Sequence, residues 1–302
     1  MPGHDPRPEA LAARVADLIR KQPAAWRRTR GGYTTAERWI ATFEDGTSVF
    51  VKSGADHLAR FLRAEHGRIY SRIEASFLPR LVAWDDDGTT PILVLEDLSA
   101  AHWPPPWSKQ RIEAVLATLN NLQALNEQLD VIPPIDAAPL RDGWATIAAD
   151  PSPFLGLELC SARWLSNALP HLVQAAVAAP VEGEDILHFD VRSDNLCFVQ
   201  IGNKERAILV DWNHSCRGNR ELDIAGWLPS LRSEGGPLPE DVQTLDANWP
   251  ALIAGYFAAH AGLPPIAAAP AVRSVQLSQL RAALPWAVRA LGLPPLDGPA
   301  AP

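Results

Sequence analysis

The sequence is poor in cysteine, with only Cys160, Cys197 and Cys216 among 302 residues and no Cys-x-x-Cys pair. An odd, scattered set builds neither a paired disulfide framework nor a standard zinc site, and it fits a reducing, cytoplasmic setting. His188, Cys197, His214 and Cys216 match no zinc spacing, and a thiol is often simply buried. The phosphate-binding loop G-x-x-x-x-G-K-[ST] is missing, which excludes P-loop enzymes on motif; the G-x-S-x-G elbow and H-E-x-x-H are missing too. Residues 1–8 are polar and contain proline without an apolar core, so no secretion signal is expected. There is no excess of basic charge: the net charge is −8, with 14 basic and 14 acidic side chains over residues 1–98 and 13 and 21 over residues 99–302. That balance argues against nucleic acid as a partner. The acidic surplus of the second part either suits a cationic substrate or serves solubility. One run, residues 247–272, lacks Asp, Glu, Lys and Arg and is long enough to cross a bilayer. Pro250, Pro264 and Pro265 interrupt it and His260 lies inside, so a buried helix near Ala251–Ala261 is expected, with no membrane role.

What is present organises the chain. Apolar residues make up 47% of it, enough for a sizeable core. Helical spacing runs over residues 9–21. Strand-like runs follow at Arg38–Phe43 and Thr47–Lys52, joined by the turn Glu44-Asp45-Gly46. A helix is expected over Asp56–Glu74 and two strands at Arg80–Trp84 and Pro91–Leu95, flanking a water-exposed acidic turn at residues 85–88. After Leu98 the texture becomes helical, interrupted by a strand pair near Leu196–Val199 and Ala207–Val210. The Pro/Ala/Gly-rich tail from Leu293 is expected to be loose.

The strongest chemical signal is HFDVRSDN at residues 188–195, an H-x-D-x-x-x-x-N pattern directly before an apolar strand. Asp211 lies sixteen residues after Asn195, at the end of the next apolar strand. Phosphoryl transfer needs such a set: one carboxylate for the acceptor hydroxyl, and an amide oxygen with a second carboxylate for Mg²⁺. Lys52 ends the strand Val49-Phe50-Val51 and shares its face with Phe50. Alone it would read as a solvated lysine, but Glu65 follows thirteen residues on, in a helical stretch.

These residues resemble the aminoglycoside phosphotransferases and related small-molecule kinases, which share their fold with protein kinases. The resemblance is carried by GGYTTAERW (31–39), VFVK (49–52), RAEH (63–66), LVLEDL (93–98), HFDVRSDN (188–195) and VDWN (210–213), and covers about residues 25–230. It implies an α+β, protein-kinase-like bilobal fold with a small β-rich N-lobe and a larger, mainly α-helical C-lobe. Residues 1–98 would form the nucleotide-binding lobe with the start of the hinge, and residues 99–302 the catalytic and substrate-binding lobe. It further implies ATP (or GTP) and Mg²⁺ as cofactors. Asp190 would be the catalytic base, Asn195 and Asp211 the metal ligands, and Lys52 with Glu65 the grip on the α- and β-phosphates. Gly31 and Gly32 would cover the phosphates, although a plain hairpin turn is an alternative, and backbone groups of Glu96 and Leu98 would meet the base. His188 would support the catalytic loop and Asp223 would anchor it. Arg192 either neutralises the transferring phosphoryl group or pairs with Asp194 on the surface. Phe50 departs from the small residue usual in protein kinases, which leaves ATP against GTP open.

The acceptor implied is a small-molecule hydroxyl compound, such as an aminoglycoside-like antibiotic or an amino alcohol. Eight of the eleven tryptophans lie beyond residue 98, and Trp212, beside Asp211, is the best-placed to stack on a sugar. Glu158 and Glu234 are candidate amine contacts. A catalytically inactive pseudokinase is the alternative, against which the complete polar set counts. Protein kinase activity is disfavoured, since Asp211-Trp212-Asn213 replaces D-F-G and no A-P-E segment occurs. Replacing Arg192 by Ala is expected to lower turnover far more than nucleotide affinity; unchanged turnover in steady-state kinetics would remove its phosphoryl-neutralising role.

Overall fold

The computed structural model describes residues 9–29, 36–202, 204–267 and 269–300. In chain order its longer elements are α1 (Glu9–Ile19), β1 (Ala25–Arg28), β2 (Glu37–Thr42), β3 (Ser48–Ser53), α2 (His57–Glu65), β4 (Leu81–Asp85), β5 (Ile92–Glu96) and α3 (Lys109–Asn121). There follow α4 (Gly143–Ala149), α5 (Ala162–Ala178), β6 (Asp185–Leu187), β7 (Leu196–Ile201), β8 (Lys204–Leu209), β9 (Cys216–Gly218), α6 (Glu221–Ser233), α7 (Asn248–Ala261) and α8 (Val272–Ala290). Contacts gather these into two units. One comprises Met1–Pro104, Glu127–Ile132 and Asp194–Ser215; the other comprises Pro105–Asn126, Pro133–Ser193 and Cys216–Pro302.

The first unit is built on an antiparallel sheet of order β1-β2-β3-β5-β4. Strand alternation sends Val49 and Val51 of β3 to one face, where they join Trp26, Trp39, Ile92 and Val94 under Leu11, Ala12 and Val15 of α1. The hairpin between β2 and β3 turns at Gly46, whose φ of +79° suits glycine. β1 has no signal of its own, because AWRR has no apolar alternation; only Trp26 is buried, and the strand exists by pairing with β2. The helix expected over residues 56–74 is shorter. It ends at Glu65 and continues as one wide π-type turn, His66–Tyr70. The acidic turn at residues 85–88 is neutralised by arginine: Arg14 bonds Asp85 and Asp87, and Arg63 holds Asp86 with two nitrogens at 2.7 and 2.9 Å. The hairpin β7–β8 belongs to this unit, and β7 is bridged at Phe198 by His102 through bonds of 3.0 and 2.8 Å.

In the second unit the uncharged run becomes α7. Eleven of its fourteen residues are buried, which is why it carries no charge. Pro250 sits in the first turn, where its missing N–H is not needed. No helix among the described residues is long and apolar enough to cross a membrane. Against α7 pack α4, α5 and α8. The crossing of α4 and α7 is glycine-made: a Cβ at Gly143 would lie 2.3 Å from the Gly255 carbonyl carbon, and one at Gly255 would lie 2.7 Å from the Trp144 ring. The Trp144 indole donates to the Ala251 carbonyl at 2.7 Å across the same crossing. The tail expected to be loose is fastened instead. Asp297 accepts the Ser161 N–H and hydroxyl at 2.6 and 2.7 Å, Pro294 accepts the Trp164 indole at 2.9 Å, and Ala300 N–H bonds Glu158. Its Pro and Gly residues mark a path laid on the body, not the absence of one.

Gly143→Ala is expected to force α4 and α7 apart and cost about 1–3 kcal/mol, typical of overpacking. The urea unfolding midpoint reads this out; a wild-type midpoint would mean the crossing tolerates a methyl group.

Candidate active site

Within the first unit, the Lys52 ammonium lies 2.8 Å from Glu65 Oε2 and 2.8 Å from Asp211 Oδ1. Each partner arrives by a different route. Lys52 stands in mid-sheet, on β3 between Arg38 of β2 and Leu93 of β5. Glu65 is the last residue of α2. Asp211 follows β8 in a left-handed conformation, φ +65°, which is strained for a non-glycine residue and common at functional positions. Glu65 also accepts the Trp212 N–H through Oε1 at 3.3 Å, closing a ring of contacts among strand, helix and turn. Burial works against the Lys52 ammonium, but Glu65 and Asp211 outweigh it and raise its pKa. Burial pushes the Glu65 carboxyl up, opposed by Lys52 and reinforced by Asp211. One cation facing two carboxylates leaves surplus negative charge, which a divalent cation would offset.

Asn195 and Asp211 are brought to one end of the β7–β8 hairpin by strand register. Leu196 pairs with Leu209, and Val210 N–H bonds the Asn195 carbonyl at 2.9 Å, so Asp211 stands one residue past the Asn195 pairing position. The side chains are an amide and a carboxylate, the hard oxygen donors Mg²⁺ takes, and such an ion draws its remaining ligands from phosphate and water. Among the described residues no group of three or more His, Cys, Asp or Glu is arranged to hold a metal.

In the second unit the start of the HFDVRSDN motif is held by its backbone. Asp223, in the first turn of α6, accepts the N–H groups of His188 and Phe189 at 2.7 and 2.8 Å. Fully buried His188 accepts the Asp190 N–H through Nδ1 at 3.2 Å. Phe189 between them has φ +66°. Beyond it, Asp190 Oδ1 and Arg192 Nε form an ion pair at 3.1 Å. Burial pushes the Asp223 carboxyl up to about 7, against the two backbone N–H bonds and with Asp190 adding to the rise.

The remaining expected site residues fall as follows. Gly31 and Gly32 lie outside the described residues. Glu96 ends β5, its N–H bonding the Arg80 carbonyl at 3.0 Å. Leu98 follows, its carbonyl accepting the Trp103 indole at 3.1 Å. Trp212 is corrected as a sugar-stacking candidate: it is 1% exposed, donates to Leu209 and packs beside Phe77. Two tyrosines escaped the sequence reading. Tyr70 is buried beside Glu65, and burial with the Glu65 and Asp211 charges raises its pKa well above the usual value. Burial also raises the pKa of Tyr256 on α7, with Asp190 adding to the rise and Arg192 and Arg273 opposing it. The signal was their rarity: the chain has three tyrosines, and a phenol placed in an apolar stretch needs a polar neighbour.

The class defined by this fold is the kinase-like fold of the aminoglycoside phosphotransferases. Similar solved structures include an aminoglycoside phosphotransferase from Alicyclobacillus acidocaldarius, at TM-score 0.58 and 15% identity over 96% of each chain. A variant of aminoglycoside 2'-phosphotransferase-IIIa with GDP matches at TM-score 0.59 and 10% identity, over 93% of this chain and 97% of that one. Amicoumacin kinase hAmiN, in complex with AMP-PNP, Ca²⁺ and Ami, matches at TM-score 0.56 and 14% identity, over 90% and 93%. No protein-family profile matches the sequence, and no curated protein matches it either. At these identities the likeness establishes the fold.

The raised Asp223 pKa fixes the sign of a pH effect. Between the ordinary 3.8 and about 7, folding takes up a proton here. The group's contribution to stability is therefore full below that window and is lost as the pH rises through it. Against an Asp223→Asn variant, wild-type unfolding free energy is expected to fall by about 1.4 kcal/mol per pH unit inside the window. Urea melts at several pH values measure this; parallel pH dependence of the two proteins would contradict it.

Proposed function

We propose that the protein is an ATP- or GTP-dependent O-phosphotransferase that transfers the γ-phosphate to a hydroxyl of a small molecule. The observation that carries the reading is the Lys52 ammonium, placed 2.8 Å from both Glu65 and Asp211 by three separate elements. Lysine in this setting is a fixed, protonated charge suited to α- and β-phosphate oxygens, and Glu65 sets its direction. Asn195 and Asp211 would hold Mg²⁺, which neutralises phosphate charge when bound. Asp190 orients the acceptor hydroxyl and takes its proton, and Arg192 supplies positive charge beside it. Gly31 and Gly32 would cover the phosphates, and backbone groups of Glu96 and Leu98 would meet the base. The nucleotide-binding part is assigned to residues 1–98, and the catalytic and acceptor-binding part to residues 99–302.

The acceptor class we infer is a cationic, aminoglycoside-like antibiotic or an amino alcohol. The acidic surplus beyond residue 98 and the complex of a fold neighbour, amicoumacin kinase, with Ami support it. Antibiotic resistance is then the role to test. The three cysteines, all free thiols, fit a cytoplasmic setting.

A screen of aminoglycosides, other antibiotics and amino alcohols for acceptor-dependent ADP or GDP release tests the reading. Some acceptor is expected to raise nucleotide turnover, and Asp190→Ala to lower it on the order of a thousandfold while the protein stays folded. Nucleotide binding without turnover under any acceptor, unchanged by Asp190→Ala, would favour the pseudokinase alternative.

A further inference from the structure

Helix α6 holds the catalytic loop at both ends. At its start Asp223 takes the backbone of His188 and Phe189. Glu234 directly follows its last residue, Ser233. Glu234 Oε1 accepts the Ser193 hydroxyl, and Oε2 accepts the Trp107 indole N–H at 2.8 Å. Trp107 in turn lies against Trp227 of α6, with ring centroids 5.7 Å apart. Between the two anchors Val191 is 4% exposed, whereas the side chains of Asp190 and Arg192 are 31% and 20% exposed. Fastened positions 189, 191 and 193 therefore alternate with the two that carry the ion pair.

We propose that Glu234 is a positioning residue for phosphoryl transfer: by fixing Ser193 it sets Arg192 beside Asp190. The proposal rests on the phosphotransferase reading above. Two donors converge on Glu234, and an ionised carboxylate is the side chain that offers only acceptors. Its hydrogen bonds are also stronger than neutral ones, which suits a link that must hold a loop in register. A glutamine would turn an NH₂ toward one of the two donors. The amine-contact role expected for Glu234 gives way to this one, since both its oxygens serve donors of the chain itself.

The test compares wild type, Ser193→Ala, Glu234→Gln, the double variant and Glu234→Asp, by steady-state ATP hydrolysis with Mg²⁺ and by amide hydrogen exchange. Each of the first two single variants is expected to lower kcat about tenfold, the scale of one charge-assisted hydrogen bond, with KM for ATP within about twofold. The double variant is expected to fall no further than the worse single, because both changes cut one link. Glu234→Asp, which keeps two acceptors on a shorter arm, should recover part of kcat. Exchange should quicken at residues 188–195 and stay unchanged in α7. Wild-type kcat in both singles, a double variant at the product of their losses, or unchanged exchange at 188–195 would overturn the proposal. A wild type that turns over neither ATP nor GTP would count against the phosphotransferase reading alone, and the exchange data would then decide on Glu234.

Discussion

A buried ammonium shared by two carboxylates is the constraint on which the first unit depends. An unpaired charge at Lys52 would be expensive to bury, so its partners must be in place whenever the unit is folded. That requirement ties mid-sheet β3 to the end of α2 and to the turn after β8. The same arrangement leaves more negative than positive charge, so the fold maintains a place where additional positive charge is welcome. A purely structural ion pair needs one carboxylate; the second points to a use for the surplus.

The second unit solves a different problem. A loop that presents Asp190 and Arg192 cannot rest on regular secondary structure, so its backbone donors and one hydroxyl are taken up by side chains instead. Asp223 is the costly element of that solution. Its site is dry enough to push the carboxyl up to about 7 although two N–H groups favour its charge. Stability and loop order thus have opposite preferences for its protonation near neutral pH, as is common where structure serves a site.

The strands β2, β3, β4 and β5 and the buried helix α7 were legible in the sequence because alternation and an uncharged run report burial directly. The lysine, glutamate and aspartate could be singled out from motif order, but their meeting around one ammonium could not be seen from spacing alone. The misses have physical causes. β1 has no pattern of its own and forms by pairing. The tail beyond Leu293 looks disordered by composition, yet its Asp297 bonds Ser161, which also accepts the Trp164 N–H at the start of α5. Trp212 invited a surface role by its neighbour Asp211, whereas the left-handed turn at Asp211 accompanies an indole that is buried. Glu234 carried no motif, and only the fold brings it to Ser193.

The most direct measurement is a calorimetric titration of the wild type and of Asp211→Asn with ATP and with GTP, each with and without Mg²⁺. The account predicts nucleotide binding that strengthens with Mg²⁺ in the wild type and loses that strengthening in the variant. Binding that ignores the metal, or a variant that responds to it as the wild type does, would contradict the claim that the Lys52–Glu65–Asp211 cluster exists to hold a metal-bound nucleotide.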